Sequence, residues 1–133
     1  MIIGMGIDIV RIDRMKKWLL RPLLIERYFH EKEIADGRSK APKTTDGSAV
    51  TSGSAMFFAA RFAAKEAFGK ALGTGLMGIS LKEIQVENNS NGKPIINLFG
   101  KAKSAFEKTG GIKIHVSLTH ETDNAIAVVV IEK

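Results

Sequence analysis

The 133-residue chain reads as an α+β fold, a largely antiparallel sheet packed against one long central helix. Three observations predict it. Residues 55–72 carry apolar side chains almost all the way round at about 100° per residue, as a helix buried on most sides must. Residues 2–10 alternate with period two, Ile3, Met5, Ile7 and Ile9 on one face and Gly4, Gly6 and Asp8 on the other, as a strand does. Two further strand pairs, 80–88 with 94–99 and 112–119 with 125–132, are joined by the turns "NSNGKP" and "HETDN".

The remaining elements follow in order. Asp13 can N-cap a helix through Leu20, and Pro22 stops it. The same proline suits the first turn of a second helix, to about Tyr28. His30 precedes "EKEIADG", a short helix ended by Gly37; Thr or Ser would cap that helix better than His. Residues 38–54 have no apolar periodicity and read as a long flexible loop. Neither side of that loop could bury a core alone, so residues 1–133 form a single domain. The long helix is closed by Gly73 or Gly75. A last helix over 100–109 ends at Gly110–Gly111.

Composition bounds the function without choosing it. Hydrophobic residues make up 44% and charged residues 26%, enough for a packed core. With no cysteine, neither a disulfide framework nor a thiolate metal site is possible, and a reducing, cytoplasmic setting fits. The apolar start "MIIGMGIDIV" lacks a basic leader and is broken by Gly4, Gly6 and Asp8, so it does not read as a signal peptide. No run is long enough to span a bilayer, and no membrane partner is expected. The net charge of +6 suits an anionic partner, or simply solubility.

Glu66 is the only acid in "RFAAKEAFGKALGTG", residues 61–75. On the helix it points nearly opposite the main apolar stripe, flanked by Ala59, Phe62 and Ala63. Buried alone it would cost several kcal/mol or become protonated. A wet helix side with a Glu66–Lys70 pair at i,i+4 is the plain explanation. Asp8 poses the same question on the first strand, where its glycine neighbours leave room for something other than a side chain; an edge strand near a turn is the plain explanation there. Two lone acids on two apolar elements otherwise suggest a shared site, since paired carboxylates with waters and substrate phosphates are how proteins hold Mg²⁺. Arg61, Lys65 and Lys70 would then meet the phosphate charge.

"GIDIV" at 6–10, "RFAAKEAFGKALGTG" at 61–75, "NGKP" at 91–94 and "VSLTH" at 116–120 occur in that order. The chain resembles the holo-acyl-carrier-protein synthase family of 4′-phosphopantetheinyl transferases over nearly its whole length. The resemblance implies the 4′-phosphopantetheinyl transferase fold. It also implies transfer of 4′-phosphopantetheine from coenzyme A to a serine of apo-acyl carrier protein, with adenosine 3′,5′-bisphosphate released, in fatty acid biosynthesis. By that resemblance Asp8 and Glu66 ligate Mg²⁺ and share catalysis with Lys65 beside the phosphates. Arg61, Lys65, Lys70, Gly73, Gly75, Pro94, Ser117 and His120 line the coenzyme A site, with Pro94 on the adenine side. The family acts as a trimer with its cleft between subunits, so a homotrimer is implied. Arg11 departs from the Glu common in the family three residues after the Asp, and the loop at 38–54 is longer than usual.

Arg14, Lys17 and Arg21 share one helix face at i, i+3 and i+7, with Met15 and Trp18 beside them. They read either as a solvated basic face or as a docking surface; in the family this helix receives the acidic carrier protein. The alternative from another class is a non-catalytic basic module that binds a nucleotide or nucleic acid. No nucleic-acid motif accompanies the basic face, and aromatic residues for base stacking are only 7% of the chain, so no nucleic-acid partner is expected.

Overall fold

A computed structural model describes residues 1–40 and 51–133. Strand β1 (Ile2–Arg11) leads directly into helix α1 (Ile12–Leu19), followed by α2 (Pro22–Tyr28), α3 (Glu31–Ser39) and the long α4 (Ser52–Ala71). A single 3-10 turn at Leu81–Glu83 precedes β2 (Ile84–Asn88), then come β3 (Pro94–Leu98), α5 (Gly100–Lys108), β4 (Lys113–His120) and β5 (Asn124–Glu132). The strands form two antiparallel sheets, one of order β1-β5-β4 and one pairing β2 with β3. The α+β reading with antiparallel pairing therefore holds, with the strands divided between two sheets.

Helix α4 is the centre. Phe58, Ala59, Ala63, Ala64, Ala67 and Phe68 are all buried along it, which accounts for its lack of a polar side. It lies against β1 because β1 offers glycines: a Cβ at Gly4 would overlap the carbonyl of Ala71, and one at Gly6 the carbonyl of Ala67. The glycine face of β1 thus turns inward. The opposite face stays open, with Met5 70%, Ile7 59% and Ile9 60% exposed. These residues stand across from Val130, Val128 and Ile126 of β5, which share that face and are half-buried.

Several boundaries differ from the sequence reading. Arg11 rather than Asp13 occupies the N-cap of α1, with no side-chain cap bond. Helix α3 runs through Gly37 to Ser39. Thr51 caps α4 in a reciprocal box with Ser54, so the helix begins at Ser52. The expected loop at 38–54 is therefore helical at 38–39 and 52–54, and the rest of its centre, 41–50, lies outside the described residues. His30 does cap α3. Its Nδ1 accepts from the Lys32 amide at 3.2 Å, while Glu33 Oε1 accepts from the His30 amide at 2.8 Å.

Candidate active site

Asp8 lies on the inner face of β1, paired across from Ala127 of β5. The side chains of Gly4 and Gly6, its neighbours on that face, are missing, so α4 approaches closely and brings Lys70 to Asp8. Lys70 Nζ donates to Asp8 Oδ1 at 2.9 Å and to the Ile7 carbonyl at 2.8 Å. Glu66, one turn earlier on α4, is partly buried. Its carboxyl is held above the usual value of 4.5, first by burial and next by the Asp8 charge, against the opposing pull of Lys70 and Arg14. Two carboxylates within electrostatic reach of each other, with the Lys70 ammonium on one of them, make up the candidate site. The fold therefore brings together the two acids that the sequence singled out separately. Glu66 makes no ion pair with Lys70 among the described residues; the lysine reaches across to Asp8 instead.

Arg14 completes this side of the molecule. Its guanidinium sits 4.9 Å from the ring centroid of Trp18 and 5.1 Å from that of Phe62. Phe62 is one turn before Glu66, so the aromatic shelf carries the cation into the field of the carboxylate. Arg14, Lys17 and Arg21 are exposed as expected. Trp18 is only partly exposed, stacked on Tyr28 with ring centroids 5.1 Å apart, and Met15 is fully buried. The expected interleaving of Met and Trp on the docking face thus gives way to packing: at α1 the apolar pair faces α4 and leaves the cations outside.

Lys65 is not at this site. Its side chain is 0% exposed, and its ammonium donates to Glu33 Oε1 at 2.6 Å, to the Leu81 carbonyl at 2.9 Å and to the Ile84 carbonyl. All three protons are used, so none is left for a substrate phosphate. Burial pushes its pKa down while Glu33 pulls it up. Glu33 also accepts from the Val86 amide at 3.2 Å, so the pair ties α3, α4 and β2 together. Lys70 holds the place beside the carboxylates that the resemblance gave to Lys65. Glu33 escaped that reading. The signal was its place three residues after His30, where a capping glutamate belongs.

A second feature lies nearer the start of α4, where Phe57, Arg61, Asn88, Pro94, Ser117 and His120 border an open cleft of about 650 Å³. Arg61 is only 7% exposed. Its guanidinium lies 3.5 Å from the Phe57 ring centroid, and Nη2 reaches Asn88 Oδ1 at 3.4 Å. Among the described residues Arg61 Nε is buried without a hydrogen-bond partner, and burial lowers the pKa of the group. A buried cation with an unused donor suits an anionic ligand. Asn88 carries no sequence signal of its own; only the packing of β2 against α4 brings it to Arg61.

Gly73 and Gly75 follow Lys70 with φ of 78° and 68°, and the space where a Cβ would stand is open at both. The expected coenzyme A residues thus fall in four places: Lys70 with the carboxylates, Lys65 enclosed on Glu33, the glycines beyond the helix end, and Arg61, Pro94, Ser117 and His120 in the cleft. Arg61 and Lys70 are nine residues apart, which on a helix means opposite faces and about 13 Å along the axis.

A family model for the 4′-phosphopantetheinyl transferase superfamily matches residues 4–129. The chain belongs to this superfamily. A relative from Treponema denticola, named holo-[acyl-carrier-protein] synthase, is 52% identical over 132 residues, covering 99% of both chains. Among solved structures, a holo-(acyl-carrier-protein) synthase from Bacillus anthracis in complex with CoA (3′,5′-ADP) is 34% identical with a TM-score of 0.74, covering 98% of this chain and 96% of that one. The Helicobacter pylori synthase in complex with coenzyme A is 28% identical with a TM-score of 0.74, covering 96% and 99%. No helix among the described residues is long and apolar enough to cross a membrane.

Proposed function

We propose that the chain transfers 4′-phosphopantetheine from coenzyme A to a serine hydroxyl of apo-acyl carrier protein and releases adenosine 3′,5′-bisphosphate. The observation that carries this reading is the meeting of Asp8, Glu66 and Lys70 across β1 and α4 in a chain of the phosphopantetheinyl transferase superfamily. In the reaction the serine Oγ forms a bond to the phosphorus next to the pantetheine as the bond to the bisphosphate breaks, and the hydroxyl proton passes to Glu66 or to water. Most of the protein's work in such a transfer is positioning and neutralising charge.

Asp8 and Glu66 fit a hard divalent cation such as Mg²⁺. Burial and, after it, the charge of Asp8 raise Glu66, and Asp8 already attracts an internal cation. Among the described residues no group of three or more His, Cys, Asp or Glu side chains could hold a metal, so most of the cation's oxygens would come from water and substrate, as Mg²⁺ favours. When bound, Mg²⁺ would neutralise pyrophosphate oxygens and improve the leaving bisphosphate. Lys70 supplies a movable positive charge beside them. Arg61, whose side chain lines the cleft, binds a phosphate there, where Ser117 and His120 are exposed at the rim and Pro94 borders the base. Gly73 and Gly75 leave the backbone after α4 open to the nucleotide. Arg14, Lys17 and Arg21 receive the acidic carrier protein close to the carboxylates.

The working form is a homotrimer with the coenzyme A cleft between subunits, in the cytoplasm and serving fatty acid biosynthesis. Two features support the assembly. The cations for the phosphates lie on opposite faces of α4, and the open face of Met5, Ile7, Ile9, Ile126, Val128 and Val130 is apolar enough to need a cover.

The test is intact-mass measurement of apo-acyl carrier protein incubated with the enzyme, coenzyme A and Mg²⁺. A gain of about 340 Da, the formula of the transferred group, is expected. Coenzyme A binding without that gain would leave a nucleotide-binding module and defeat the transferase reading.

A further inference from the structure

The two lysines of α4 differ in what they are free to do. Lys65 is enclosed and has an acceptor for each proton, so it cannot leave Glu33 without burying an unpaired charge. Lys70 is 54% exposed and has two acceptors among the described residues, the Ile7 carbonyl and Asp8 Oδ1. A half-exposed lysine can swing on its four-carbon stem at small cost. The oxygen it holds belongs to Asp8 on β1, while Lys70 itself stands one turn after Glu66 on α4, so its ammonium is bonded to one of the two acids and borne by the helix of the other.

We infer that Lys70 is a displaceable placeholder: it neutralises Asp8 while no divalent cation is bound, is expelled from Asp8 Oδ1 when one binds, and is thereby released toward the anionic substrate. This inference rests on the reading of Asp8 and Glu66 as cation ligands. The exchange keeps the carboxylate pair compensated at each stage. It also couples cation binding to delivery of a positive charge, because the ammonium can hold Asp8 or reach the substrate but cannot do both.

Mn²⁺ is an oxygen-seeking probe of such a site. Its binding to the coenzyme-free protein can be followed by loss of the free-ion electron paramagnetic resonance signal. Lys70→Met should tighten Mn²⁺ by about five-fold, the scale of a half-exposed ion pair that the metal no longer has to break. Arg14→Met is the control for charge alone, because Arg14 acts on Glu66 yet forms no ion pair with either carboxylate among the described residues. It should change the affinity by much less. Equal tightening by both variants would mean that only net charge matters and would overturn the exchange. So would an unchanged or weaker affinity in Lys70→Met while Asp8→Asn loses Mn²⁺, and in that case the cation reading itself would stand. Undiminished Mn²⁺ binding by Asp8→Asn would remove the cation reading and this inference with it. A crystal structure of the wild type with Mn²⁺ gives the direct view: Nζ should have left Asp8, and finding it still bonded there would sink the proposal.

Discussion

Helix α4 carries two lysine–carboxylate pairs five residues apart, and they are opposites. Lys65–Glu33 is closed, with both side chains 0% exposed and the surrounding amide and carbonyls bonded to it. Lys70–Asp8 is open, 54% and 18% exposed, with a second carboxylate nearby that bonds to neither. A closed pair has no bonding capacity left over, so it can only position other groups. An open pair with a surplus negative charge has capacity for a ligand. The chemical identities match; what separates structure from function here is whether the hydrogen-bonding capacity is used up.

That contrast breaks most clearly at Glu66. Glu66→Gln keeps the shape and removes the charge, and should lower turnover by about 10³-fold, several kcal/mol of charge stabilisation, without loss of fold by circular dichroism. A near-native rate at low Mg²⁺ would mean that the open pair is not the reacting centre. At the closed pair the sign is reversed. Lys65→Met should cost about 3–5 kcal/mol of stability by leaving the Glu33 carboxylate buried and unpaired. The double variant with Glu33→Gln should recover part of that loss in a urea titration. If Lys65→Met were as stable as the wild type but slow, the closed pair would belong to the chemistry after all.

Smaller effects sharpen the picture of the open side. Reversing Arg14 and Arg21 to Glu should raise KM for the carrier protein several-fold and leave KM for coenzyme A nearly unmoved, because exposed charges act on encounter and fade within about 8 Å at physiological salt. Equal rises in both would place α1 in the nucleotide site. The smallest effect concerns pH. The Glu66 carboxyl is raised in the folded chain, so the folded state holds its proton more tightly than the unfolded one does. Its contribution to stability is therefore favourable at acid pH and falls as pH rises from about the ordinary value of 4.5 through the raised one. Glu66→Gln should flatten that slope in thermal melts and be slightly more stable than the wild type at neutral pH. An unchanged slope would mean that Glu66 is not strained by Asp8 and burial.

Much of this was legible beforehand. The period of two in β1 and the apolar α4 follow from local side-chain spacing, and so do the turns after Asn88 and His120. Asp8 and Glu66 stood out because each is a lone carboxylate among glycines or alanines. Lys65 was misplaced for the converse reason. Its partners are Glu33, 32 residues earlier, and the carbonyls at 81 and 84, and no periodicity links them. His30 looked like a weak cap by residue type, yet its Nδ1 does the work of a hydroxyl.

The sequence by itself determined most of the elements, the glycine-bearing face of β1 and the presence of two unexplained acids. Those properties depend on residues within a turn or two of each other. Only the tertiary structure decided which lysine is enclosed and which is free, that Asn88 meets Arg61, and that Arg14 rests on an aromatic shelf beside Glu66. These depend on side chains from separate elements competing for the same donors and acceptors, and that competition is settled only when α1, α3 and β2 pack around α4.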